Sequence, residues 1–389
     1  MGACWLLAGA LAPLILAAPP PAATNLTVDQ LDQLLKQIHG QSDARVARQI
    51  TGVKLTERAS AERIARWEAD LAGERSREAL MVVADVSAFL APPAAELPTT
   101  PAPDARTQQQ ILTRCRDYVN QIVPRLPNYF ALRTTTSFEF TTAQKLVSQP
   151  LADSMFQQNP GPRVHYLALG PAKSSDSPED QFFWLGSYAE EVTYRGRTEV
   201  VNATPGTNGP PRSPLYAMST SGDFGSVLEV IVMDFQEDQI AWDHWEQGHS
   251  TQVSTGPLAV FRYAVPSERS HYAVSYPNEP PNFPAYHGEV AIDPESGAVR
   301  WITLLAIDSE SGYFNESSQL VEFAPTEIAG VTYICPVHSV AIVRFFEAFE
   351  YENTAHTPIP SQISINDVAF TKHHLFRSES HILSGASKP

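Results

Sequence analysis

Tyr286-His-Gly-Glu-Val-Ala-Ile-Asp-Pro-Glu-Ser-Gly-Ala-Val-Arg-Trp-Ile-Thr-Leu-Leu-Ala-Ile307 is the stretch whose reading decides the fold. Two apolar, β-rich runs flank Asp293-Pro-Glu-Ser-Gly297, a turn signal of the kind that closes a hairpin. Ala329-Gly330 repeats that grammar further on. Working outward, strand candidates fall at Gln239–Gln247, Leu258–Val265, His271–Tyr276, Ala285–Ile292, Val299–Ile307, Gln319–Phe323, Val331–Val343 and Ile363–Leu383. Upstream, Phe130, Leu132, Phe138 and Phe140 alternate with Arg133, Thr135, Ser137 and Glu139, which is strand periodicity with two unlike faces. From about Tyr129 to the C-terminus the expectation is one long antiparallel meander, broken by loops at Pro150–Pro162, Ser174–Asp180 and Pro205–Pro214.

One segment inside the meander has a different period. Phe224, Val227, Leu228, Ile231, Val232 and Phe235 recur at i, i+3, i+4, i+7, i+8 and i+11, which predicts a helix over Asp223–Phe235 capped by Ser221 or Asp223. Its apolar face is wide enough to cover the open side of a curved sheet. If that side encloses a ligand, Phe224, Leu228, Ile231, Phe235 and Trp242 are the candidate lining residues.

The N-terminal third is helical. Thr27 and Gln30 form a capping box, stapled by Leu26 and Leu31, ahead of the stripe Leu31, Leu34, Leu35, Ile38 and the stop at Gly40. Further helices are expected to begin at Ser42, Ser60 and Ser76. Pro92, Pro93, Pro98, Pro101 and Pro103 make a semi-rigid spacer and the clearest boundary, and a longer helix follows from about Ala105 to Val123. The organisation read from sequence is a signal over 1–23, a helical region over 24–91, a linker over 92–104 and a sheet domain over 105–389. The fold class is α+β: a helical N-terminal region, then a curved antiparallel meander or half-barrel with an embedded helix.

Trp5–Ala18 is an apolar run too short to span a bilayer, followed by Pro19–Pro21 and Ala22-Ala23. It reads as a secretory signal, which predicts a periplasmic or secreted protein without a stable membrane span after signal removal. The net charge of −16 over 389 residues repels phosphate backbones, so nucleic acid is not an expected partner. Beyond the signal only Cys115 and Cys335 remain. Each lies on an inward face, which reads as two buried thiols, with a disulfide in an oxidising compartment as the alternative.

No strong catalytic motif is present. There is no G-x-S-x-G elbow, no phosphate-binding P-loop and no H-E-x-x-H, and nothing calls for a cofactor. The densest set of metal-ligand types is Asp243-His244-Trp245-Glu246-Gln-Gly-His249: His244 and Glu246 share a strand face, and His249 lies past a glycine that lets it fold back. The alternative for these residues is hydrogen bonding at the sheet surface. Aromatic side chains are plentiful, including Trp184, Trp242, Trp245, Phe261 and Tyr263, and serve either a greasy cavity or a core.

The order of helix, strand, meander, embedded helix and meander, with the turn Ile292–Arg300, resembles the half-barrel of bacterial lipoprotein carriers of the outer-membrane sorting type. Trp242–Gly248, Tyr286–Asp293 and Ile365–Phe370 also resemble a family of large exported bacterial proteins without an assigned function. The resemblance implies a non-catalytic binding protein whose curved sheet covers a lipid, another apolar ligand or a hydrophobic segment of a protein partner. The alternative is an exported hydrolase, metal-dependent or not, with its site near His244.

Overall fold

A computed structural model describes residues 24–122, 126–142, 180–195, 198–201, 227–228, 234–235, 239–247, 256–274, 281–307, 316–345 and 362–375. The chain is α+β. Its centre is an open ten-stranded antiparallel sheet in the order β5-β4-β3-β12-β11-β10-β9-β8-β7-β6. The strands are β3 (Tyr129–Thr142), β4 (Asp180–Arg195), β5 (Thr198–Val201), β6 (Ile240–Glu246), β7 (Leu258–Val265), β8 (Tyr286–Ile292), β9 (Val299–Ile307), β10 (Glu316–Ile328), β11 (Val331–Phe345) and β12 (Gln362–Leu375). The meander from β6 to β12 is completed by β3, which pairs with β12, so β5 and β6 are neighbours in sequence yet lie at opposite edges.

The hairpin that decided the fold is present as read. Asp293 Oδ1 accepts from the backbone N–H of Glu295 and Ser296 at 3.0 and 3.2 Å, and Gly297 takes φ 77°, a backbone state that disfavours any side chain. Ala329 and Gly330, at φ 53° and 81°, turn β10 into β11 with two consecutive left-handed residues. His271–Tyr276 is not a strand over its described part. Val274 makes one isolated bridge to Asn282, and the His271 N–H is drawn instead to the Asp234 carboxylate at 2.9 Å.

Ahead of the sheet come β1 (Thr24–Leu26), α1 (Val28–Ile38), α2 (Asp43–Thr51), β2 (Val53–Leu55), α3 (Ala61–Asp70), α4 (Glu74–Ser87) and, after the proline spacer, α5 (Ala105–Ile122). The capping box of α1 is formed on both sides. The fourth helix starts earlier than Ser76 suggests. Gly73 is its N-cap, and Asp43 of α2 supplies the missing acceptor, taking the N–H of Arg75 at 3.2 Å and of Ser76 at 2.9 Å.

Both faces of the sheet are covered. Ile111, Cys115 and Val119 of α5 pack on one face with Phe261, Val290, Ile292, Ile302 and Val368. On the other, Val82 of α4 joins Phe138, Val260, Trp301, Val340 and Ile365, flanked by Met81, Val86 and Phe89. The opposite side of α4, Leu80 and Val83, belongs to the core of the helical layer with Leu31, Ile50 and Trp67. A helix that is apolar on two sides joins residues 24–91 to the sheet through a continuous core.

Candidate functional site

Among the described residues, four places bear on the function. The first is the one the sequence singles out on β6. A bulge between Trp242 and His244 breaks the β6/β7 register and inserts Asp243 as an extra residue. His244 Nδ1 stands 2.9 Å from Asp243 Oδ2, and Nε2 stands 3.6 Å from Glu246 Oε2. Burial opposes protonation of His244, but the hydrogen bonds and charges of Glu246 and Asp243 outweigh it and raise its pKa. Both acids already have strong partners: Arg58 binds Glu246 at 2.7 Å, and Arg262 binds Asp243. Arg58 also lies over the Trp301 ring, 4.6 Å from its centroid. The cluster therefore clamps the chain just after β2 onto the sheet. His249 lies outside the described residues; within them Asp243, His244 and Glu246 form an ion network with Arg58 and Arg262 in which His244 Nε2 has no hydrogen bond.

The proposed ligand-lining residues divide similarly. Phe224 and Ile231 lie outside the described residues. Val227 and Leu228 are helical, whereas Asp234 sits in a turn and Phe235 in no helix. Phe235 is buried in the core under α5, and Leu228 and Trp242 pack against that core. The gap left there, lined by Leu112, Cys115, Phe235, Ile240 and Ile292, is about 20 Å³, room for roughly one water. The row that continues Tyr129 and Ala131 along β3 is polar and buried: Arg133, Thr135, Ser137 and Glu139, with Arg133 paired to Glu190 of β4. Cys115 and Cys335 share this core as free thiols and not as a disulfide, and burial pushes both up to about 12. At that value neither is reactive near neutral pH.

The third place is a cleft of about 1150 Å³ in the helical layer, walled by α1, α2 and α3 with the start of α4. Trp67, Leu35 and Leu71 supply apolar surface. Six acidic side chains line it (Asp29, Asp32, Asp43, Glu62, Asp70 and Glu96) against three basic ones (Lys36, Arg63 and Arg66). Arg63 is held by Asp29 at 2.9 Å, Asp32 at 2.8 Å and Glu96 at 2.5 Å, and the Trp67 indole N–H donates to Asp32.

The fourth lies between α4 and the sheet. Glu322 (β10), His338 (β11) and Asp367 (β12) sit side by side on three adjacent strands, and Asp85 descends from α4 above them. His338 Nδ1 is 2.7 Å from Glu322 Oε2, and Nε2 is 2.8 Å from Asp367 Oδ2. Burial disfavours the imidazolium, yet the hydrogen bonds and charges of Asp367 and Glu322 lift the pKa of His338 well above its ordinary value. Burial, with the nearby Asp367 charge, likewise raises Asp85 far above the usual carboxylate range. Sequence reasoning passed over all four residues because they are far apart in the chain. The available signal was a lone acid inside an apolar run: Asp85 within Ala79–Val86, and Asp367 within Ile365–Phe370.

Compared with known protein families, curated proteins and solved structures, the chain matches none. Among the described residues, no helix is long and apolar enough to cross a membrane.

Proposed function

We propose that this is a non-catalytic binding protein, and that the cleft between α1, α2 and α3 takes the ligand. The observation that carries this reading is where the room lies: about 1150 Å³ in the helical layer against about 20 Å³ beside Phe235. A cleft of the first size suits a peptide segment or a drug-sized molecule. The excess of acids over bases on its walls favours a cation-bearing ligand, and Trp67 and Leu35 offer apolar contact for a side-chain stem. Among the described residues its walls carry no nucleophile paired with a base, which supports recognition over turnover. The apolar run Trp5–Ala18 supports an exported location for this activity.

Hydrogen exchange of the full chain with and without short lysine-bearing peptides tests the assignment. Saturable protection is expected over 29–43 and 60–73, weakened by Glu62→Gln combined with Asp70→Asn. Protection confined to β6, β7 and the residues around Leu228 would return the ligand to the sheet and refute the cleft.

A further inference from the structure

We infer that Asp85, His338 and Asp367 form a binding site for a divalent first-row transition-metal ion of the Zn2+ type, with Glu322 orienting the imidazole. One ligand atom from each of the three residues lies within 4.8 Å of the other two. Bonds of about 2.0–2.2 Å to nitrogen and oxygen place neighbouring ligand atoms about 3–3.5 Å apart. The three side chains therefore need only small torsional adjustments to close on one ion.

A second observation is independent of that spacing. Asp85 is only 4% exposed, its carboxyl group supplies an atom to the cluster, and its Oδ2 has no hydrogen-bond partner among the described residues. A buried carboxylate oxygen without a partner is costly to maintain unless something neutral or cationic meets it. Glu68 of α3 lies near Asp367 and His338, and Arg77 is the cation that acts on Glu68. Glu68 thus adds a further carboxyl group beside the cluster.

The orientation of His338 also fits. Glu322 accepts from Nδ1–H, which leaves the Nε2 lone pair directed at the side where Asp367 and Asp85 converge. A carboxylate behind a ligating histidine is the usual arrangement that fixes the ring and raises its basicity. Without metal, a proton takes the place of the ion between Nε2 and Asp367. The His338 side chain is 31% exposed, so an ion can enter from solvent while Asp85 closes the inner side. One imidazole with two carboxylates suits Zn2+, Mn2+ or Co2+; thiolate-seeking ions and Mg2+, which keeps several waters, fit less well.

The experiment uses the full chain, stripped with chelator and dialysed against Zn2+, with bound metal measured per chain. The expected result is one ion per chain at saturation in the wild type. Asp85→Asn, which keeps the shape and removes the carboxylate ligand, should weaken binding at least tenfold, and His338→Gln should do the same. Glu322→Gln should weaken it about 10–100-fold by releasing the ring, and His244→Gln on β6 should leave it unchanged. Co2+ loaded in place of Zn2+ should give a visible absorption that His338→Gln abolishes while circular dichroism shows the fold intact. Equal uptake by wild type and Asp85→Asn, or no stoichiometric uptake by the wild type, overturns the assignment and leaves the cluster as carboxyl groups sharing protons with His338.

Discussion

Replacing Gly297 by alanine tests how the deciding hairpin is used in three dimensions. Two costs arise, and a second glycine separates them. Gly297 has φ 77°, where an L side chain is strained by about 1–2 kcal/mol. A Cβ there would also lie 2.5 Å from both the carbonyl carbon and oxygen of Arg114 and 2.9 Å from the amide nitrogen of Cys115. These are backbone atoms of α5, so relief requires the helix or the turn to move by the better part of an ångström. The same helix buries Ile111, Cys115 and Val119 in the core, and Arg114 donates to the Pro294 carbonyl at 2.9 Å. Forced overpacking of this kind costs about 1–3 kcal/mol beyond the strain. Gly330 has almost the same φ, 81°, but nothing lies within 4 Å of its virtual Cβ. Equilibrium urea unfolding of both variants should therefore show Gly330→Ala losing about 1–2 kcal/mol and Gly297→Ala about 2–5 kcal/mol. Equal losses would mean that the turn does not press on α5, and the packing of that helix as described would be wrong.

Asp43→Ala should destabilise by about 1 kcal/mol, because α4 loses the carboxylate that meets its first N–H groups. Burial of Asp43 is outweighed by bonds from Ser76 and Arg75, so its folded pKa is depressed. Its contribution is present above the unfolded value and lost as pH falls through the folded one, and the wild-type advantage over Asp43→Ala should vanish in strong acid. Tyr263→Phe removes the hydroxyl that reaches past Gly288 to donate to the Thr303 carbonyl at 2.5 Å. Denaturation should show a loss of about 1–3 kcal/mol, and no loss would mean that this carbonyl finds water instead. Arg58→Ala strips Glu246 of its cation and Trp301 of its guanidinium neighbour, and a loss of about 2 kcal/mol or more is expected by thermal unfolding. Proteolysis in the spacer 97–103 should leave two pieces that elute together, since Val82 is buried with sheet residues; a free soluble fragment beginning near Ala105 would show that this shared core is weak.

The parts of the fold that were legible in the sequence are those fixed by local physics. The capping box at Thr27 and Gln30, the helix from Ala105 and the strand Leu258–Val265 depend on spacing and turn residues a few positions apart, and each stands within a residue or two of where it was read. What failed to show was long-range assignment. Ser76 looked like a cap because nothing in its own neighbourhood reveals that Asp43 arrives from another helix. Cys115 and Cys335 were correctly placed on inward faces, but facing one core does not fix the approach that a disulfide needs, and they remain separate thiols.

The same distinction explains why the sequence pointed to His244 and not to His338. Asp243, His244 and Glu246 are adjacent in the chain, so any reading by spacing finds them, and the fold then uses two arginines from elsewhere to neutralise the acids. Asp85, Glu322, His338 and Asp367 come from four elements and meet only because β10, β11 and β12 lie side by side under α4. Residues brought together by topology face one another without the local partners that sequence neighbours provide. Asp85 illustrates this: α4 carries it into an otherwise apolar contact, where burial and the charge of Asp367 both penalise its ionised form. A position that paid this cost for no return could be filled by asparagine or leucine. The chain instead lines up a second carboxylate, a histidine and a third carboxylate behind the ring at that one place, and a cation bound among them is the reading that gives all four a role.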